Sequence, residues 1–208
     1  MTNLHEHRPL RRRGLRLSVV AAVLAIGLAA CGDDDDTASS SSSSETSVSA
    51  EFNDADVEFA RGMIPHHRQA VEMAAIALDP SVEAGADVQD LATRIEEAQD
   101  PEIELMTGFL AAWGQDASGE TAGSQGMDEM GEMDGMMTDE EMQSLADLRG
   151  DEFDRTWMEM MTEHHEGAIA MAEIEISDGD NPDAMELAEQ ITDAQQAEID
   201  EMRALLEG

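Results

Sequence analysis

The chain has 208 residues, with 48 acidic side chains against 11 basic ones and a formal net charge of −37. Such a surface excludes nucleic-acid backbones and anionic lipid headgroups as partners and favours cations. The single cysteine, Cys31, allows no internal disulfide, and from that residue onward 47 acids face six arginines and no lysine, a balance of −41. A solvated acidic surface accounts for most of this charge.

Residues 1–30 read as a secretory leader. Arg8, Arg11, Arg12, Arg13 and Arg16 form its basic start, and Leu17–Ala30 is an apolar stretch too short to span a bilayer comfortably. Leu28-Ala29-Ala30-Cys31 resembles a bacterial lipobox, with Cys31 as the lipidated first residue of the mature chain. General or twin-arginine export is left open by Arg12-Arg13. Residues 31–51, an aspartate run followed by a serine run, have little to bury and read as a disordered tether. The rest, 52–208, reads as one helical domain.

Asp54–Leu78 is expected to be a helix, with Phe59, Met63, His66, Ala70, Ala74 and Ala77 on one stripe. Pro65 lacks a ladder N–H, so a kink or a helix start is expected there. Asp79-Pro80 reads as a cap before a second helix over Ser81–Ala112, kinked at Pro101 and completing a hairpin over 52–113. Residues 114–137 are rich in Gly, Ser, Asp, Glu and Met, with few core formers and no expected core partners. Thr138-Asp139-Glu140-Glu141 is a capping box opening a short helix within 138–149, which Gly150 ends. Asp151 is expected to cap a third long helix to about Ile176, and Asn181-Pro182 a fourth, giving a second hairpin over 151–207.

The two hairpins are an internal repeat. Met63-Ile64-Pro65-His66-His67-Arg68-Gln69-Ala70-Val71-Glu72-Met73-Ala74 matches Met161-Thr162-Glu163-His164-His165-Glu166-Gly167-Ala168-Ile169-Ala170-Met171-Ala172 in the pattern M-x-x-H-H-x-x-A-[VI]-x-M-A. Ala98-Gln99-x-x-Glu102-Ile103-x-x-Met106 likewise matches Ala194-Gln195-x-x-Glu198-Ile199-x-x-Met202. Two such hairpins predict an all-α four-helix bundle with approximate twofold symmetry.

The six histidines are His5 and His7 in the leader and the two pairs His66-His67 and His164-His165. Neighbours on a helix point about 100° apart, so the two members of a pair cannot easily chelate one ion side by side. Met63 lies one turn before its pair, midway between the two directions, and Met161 stands likewise in the second half. Met73 and Met171 close the motif. Twofold packing would bring both clusters together in the core. No carboxylate stands three residues before any of these histidines, which argues against a di-iron bundle, and H-E-x-x-H is absent. Thioether with imidazole and no thiolate favours Cu(I) or Ag(I); zinc through the histidines alone stays open. So does a buried polar network with no metal.

Met127, Met130, Met133, Met136 and Met137 follow an M-x-x-M rhythm among acidic residues and glycines, a composition suited to capturing soft cations or to a plain acidic spacer. Serines cluster in the tether, away from any histidine, and no acid–base pair stands out, so no catalytic constellation is visible.

The doubled M-x-x-H-H motif, the Met-rich linker and Thr138-Asp139-Glu140-Glu141-Met142 together resemble the bacterial domain-of-unknown-function family 305, over roughly Asp54–Leu206. The resemblance implies a ferritin-like four-helix bundle. It also implies an exported protein that binds copper or silver for sequestration or resistance, with His66, His67, His164 and His165 and Met63 and Met161 as ligands. A cuprous oxidase using the same site, or an envelope interaction module without metal, would be the alternatives. A homo-oligomer or a copper-delivery partner stays open.

Overall fold

A computed structural model of the chain describes residues 51–117 and 135–208. The leader, the tether up to residue 50 and Met127, Met130 and Met133 lie outside the described residues. Among those described, the structure is all-helical: α1 (Asp54–Leu78), α2 (Ala86–Ala112), α3 (Asp139–Asp147), α4 (Gly150–Asp178) and α5 (Pro182–Glu207), with a 3₁₀ turn at Pro80–Val82. α1 with α2 and α4 with α5 form the two hairpins, and α1 and α4 pack together at the centre. No helix among the described residues is long and apolar enough to cross a membrane.

α1 and α2 continue as helix through Pro65 and Pro101, so Pro65 marks no helix start. A proline inside a helix costs about 3 kcal/mol. Around Pro65 the fully buried Met63 and Ile64 each return about 1.5–3 kcal/mol of apolar burial, enough to hold the helix together.

The start of α2 lies five residues beyond the expected Ser81. After the 3₁₀ turn Glu83 adopts a left-handed backbone (φ 55°), and Gly85 becomes the N-cap. The cause lies in the other hairpin: the Gly85 N–H donates to both carboxylate oxygens of Asp154 at 2.9 and 3.0 Å. A Cβ at position 85 would fall 2.5 Å from Asp154 Oδ2. The repeat mirrors this clamp, since the Asn181 N–H donates to Asp56 Oδ1 at 2.8 Å at the start of α5. Asn181 caps α5 and Thr138 caps α3 with Glu141, as the sequence predicts. Gly150 belongs to α4 rather than ending α3, which moves Asp151 from the cap into the first turn.

The Asp56 clamp carries an addition that its twin lacks. Glu175 is fully buried, and its carboxyl oxygens meet no hydrogen-bond partner among the described residues; Ala77 holds the equivalent place in the first half. Burial, and then the influence of the neighbouring Asp56 carboxylate, push the Glu175 carboxyl up to about 8. Burial works in the same direction on Asp56, but hydrogen bonds led by the Asn53 backbone, with those of the Asn181 and Asp180 backbone, outweigh it and hold that carboxyl below its usual range.

The core falls into two apolar clusters. One is built around Met73, Leu91, Ile95, Phe153, Trp157, Met161 and Met202, the other around Phe59, Met63, Ile64, Met106, Phe109 and Ile191. Between them on all four long helices lie buried polar residues: His66 and His67, Gln99, His164 and His165, and Gln195.

Candidate metal centre

α1 and α4 cross antiparallel at their histidines. The rings of His66 and His164 stand 3.8 Å apart between centroids, tilted by 41°. Seven residues past His66, the Met73 carbonyl accepts a 2.9 Å hydrogen bond from the indole N–H of Trp157, seven residues before His164. Steps forward along one helix therefore match steps back along the other.

The second member of each pair turns to its own hairpin partner. His67 Nε2 lies 2.8 Å from Glu102 Oε2, and His165 Nε2 lies 2.7 Å from Glu198 Oε2. With the ring neutral, Nε2–H donates to the carboxylate and Nδ1 carries the lone pair. The 100° between helical neighbours thus separates the roles within each pair. His66 and His164 meet across the pseudo-twofold, while His67 and His165 are braced from α2 and α5.

All four histidines are fully buried. Nδ1 of His67, Nδ1 of His165 and both ring nitrogens of His164 meet no partner in hydrogen-bonding geometry among the described residues. Burial and then the neighbouring His66, His165 and His67 rings press His164 well below the ordinary imidazole range; only the His66 backbone works the other way. His164 is therefore neutral near pH 7, the form that can donate a lone pair to a metal.

Met63 and Met161 are also fully buried, one turn before the histidines as expected. Met106 shares the apolar cluster of Met63, and Met202 that of Met161. Met73 and Met171 stand seven residues beyond their histidines, about 10 Å along the helix axis, so they do not join the His66–His164 contact. Met136 is half-buried. Met137 is buried in the cluster with Met161, which corrects the expectation that the Met-rich stretch lacks core partners.

Glu102 and Glu198 were not singled out from sequence, where no acidic residue stood apart from the others. The signal was the repeat itself, which preserves Gln99-x-x-Glu102 as Gln195-x-x-Glu198. Gln99 and Gln195 are buried with carboxamide atoms that lack hydrogen-bond partners among the described residues.

A carboxylate that binds one imidazole nitrogen and leaves the other bare and buried is the arrangement that orients a metal-ligating histidine. Among the described residues, no three His, Cys, Asp or Glu side chains converge on one point.

The model of the domain of unknown function DUF305 matches residues 56–206. The chain belongs to the DUF305 family. Among solved structures it is similar to a DUF305 protein from Streptomyces coelicolor, with 35% identity over 73% of this chain and 90% of that one and a TM-score of 0.64. A DUF305 fragment from Deinococcus radiodurans matches with 30% identity over 74% of this chain and 96% of that one, at the same TM-score of 0.64. CopM in its Cu(I)-bound form matches with 26% identity over 73% of this chain and 95% of that one, at a TM-score of 0.59. None of the curated proteins matches the chain.

Proposed function

We propose that this DUF305 protein is an exported, lipid-anchored binder of Cu(I) or Ag(I) that sequesters the ion or hands it on. The observation that carries this reading is the pair of braces, in which His67 and His165 each give Nε2–H to a carboxylate and keep a buried Nδ1 with no hydrogen-bond partner among the described residues. In an apo protein such bare nitrogens cost desolvation energy. A metal that accepts their lone pairs removes that cost.

The donor set selects the ion. His66, His67, His164 and His165 with Met63 and Met161 supply imidazole and thioether without thiolate, which suits soft monovalent ions better than magnesium, calcium or manganese. CopM, the relative with 26% identity, has been crystallised with Cu(I), and related crystals hold Cu(II) and Ag. The ion is cargo, bound and released, and no residue is assigned a catalytic role. The leader and Cys31 would place the domain outside the cytoplasm on a lipid anchor.

Titration of the purified mature protein tests this. A ligand at a hundredfold excess over its dissociation constant adds about 2.7 kcal/mol of stability, which for a chain of this size raises Tm by about 5–10 °C. Cu(I) or Ag(I) should give that rise near neutral pH and a smaller one in acid, where protonated imidazole cannot ligate. The double variant His67→Leu/His165→Leu should stay folded and lose the shift. A wild type that shows neither binding nor shift, with a double variant that unfolds, would make the histidines structural and end this reading.

A further inference from the structure

Gln69 and Gly167 occupy the same place in the two halves of the repeat, two residues after each histidine pair. They are chemically unlike, and a short strap, Gly135–Met137, uses both. At one end the Gln69 carboxamide grips the Met137 backbone twice: its Nε2–H donates to the Met137 carbonyl at 2.7 Å, and the Met137 N–H donates to Gln69 Oε1 at 2.7 Å. At the other end Gly135 (φ +83°) lies against α4. A Cβ there would stand 2.6 Å from the Glu163 carbonyl oxygen and 3.1 and 3.2 Å from Cα and N of Gly167. One half of the repeat reaches out to hold the strap, and the other makes room for it.

The antiparallel crossing fixes where this happens. Gln69 stands three residues past His66, level with Met161, three residues before His164. Glu163 and Gly167 bracket His164 and His165 on α4. The strap therefore spans the level of the His66–His164 contact, and Met137, 7% exposed, lies in the same apolar cluster as Met161. Among the described residues, Gly135–Met137 is the one strap of this kind, and it lies against the second half.

We infer that Gln69 is a positioning residue of the metal centre. By holding Met137 level with Met161, it adds a further soft donor to the His164–His165 half of the centre and none to the His66–His67 half. The two halves of a nearly symmetric bundle then bind a soft monovalent ion unequally, with the strapped half the tighter. This rests on the copper and silver reading above and goes beyond it by naming the residue that breaks the symmetry.

The test uses the mature full-length chain, Ag(I) or Cu(I) and a competing chromophoric chelator. Wild type should show two classes of site. Met137→Leu conserves volume and leaves the backbone bonds to Gln69 in place while removing the sulfur. Gln69→Ala keeps the sulfur and removes the grip. Each should weaken the tighter class by about 10- to 100-fold, the usual cost of losing a group that orients a metal ligand, and leave the weaker class unchanged. Amide exchange at Met137 should quicken in Gln69→Ala and slow on metal binding in wild type. If Gln69→Ala fails to fold, Met137→Leu decides alone. Tight binding unchanged in Met137→Leu makes the strap a purely structural brace and overturns the inference while metal binding survives. No binding in wild type removes the copper reading and this inference together.

Discussion

Glu198 is the sharpest place to separate a metal brace from a structural hydrogen bond. Its carboxylate lies 2.7 Å from His165 Nε2, and its side chain is 14% exposed, against 21% for Glu102. In Glu198→Leu the imidazole N–H loses its partner in a site that admits little water. A stranded buried donor costs about 1–3 kcal/mol, which predicts a fall in apo Tm of about 2–12 °C for a chain of this length. The ring also loses the group that holds its orientation, so Ag(I) affinity should fall about 10- to 100-fold. In Glu198→Gln the amide oxygen still accepts the N–H, but the hydrogen bond loses the charge that makes such bonds roughly twice as strong. Both losses should be smaller than in Glu198→Leu and in the same order. Differential scanning calorimetry of the apo protein and silver titration against a competing chelator read the two effects separately. A Leu variant that melts early yet binds silver with wild-type affinity would refute the brace and leave only a structural hydrogen bond.

The buried Glu175 makes stability depend on pH. Its carboxyl sits near 8 in the fold against about 4.5 when exposed, so the folded chain holds a proton that the unfolded chain has lost. Its contribution is fully present below about pH 4.5 and is lost as pH rises towards 8. Glu175→Gln should therefore melt above wild type at pH 8.5 and close to it at pH 4.5, and a Tm difference that does not vary with pH would contradict the buried proton. Asp154→Ala removes the acceptor of the Gly85 N–H and should cost about 1–2 kcal/mol in denaturant unfolding; an unchanged midpoint would show that water replaces the clamp. Cys31→Ser should release the protein from membranes or leave the precursor unprocessed, and unchanged membrane fractionation would count against lipidation.

Local signals carried much of the fold. Phe59, Met63, His66, Ala70 and Ala74 fall at helical spacing in Asp54–Leu78, and all five are buried on α1 as that spacing requires. The Asn181-Pro182 cap and the Thr138–Glu141 box each act within three residues, and both were legible. The misread positions answer to distant partners. Ser81 looks as good a helix start as Ala86 until Asp154, on another helix, takes the Gly85 N–H. Pro65 could equally mark a helix start until the packing around it is counted. Met137 looks like spacer until Gln69 is seen to hold its backbone.

The same division runs through the candidate site. Which histidines meet in the core was visible, because every histidine after Cys31 lies in one of two copies of one motif. How they divide their contacts was not. Adjacent histidines 100° apart cannot share one neighbour, so a repeated pair needs two kinds of partner: its own copy across the pseudo-twofold and a carboxylate within its hairpin. Two identical Gln-x-x-Glu steps sat in the repeat as that second partner, indistinguishable by composition from the many other acids of a chain with 48. Symmetry makes such steps readable, since an acid kept at matching places in both hairpins faces matching neighbours. It also shows where to look for function that the repeat cannot supply. Gln69 against Gly167 and Ala77 against Glu175 are places where the halves disagree, and each disagreement has a physical consequence: one pair docks a strap, and the other buries a proton beside Asp56.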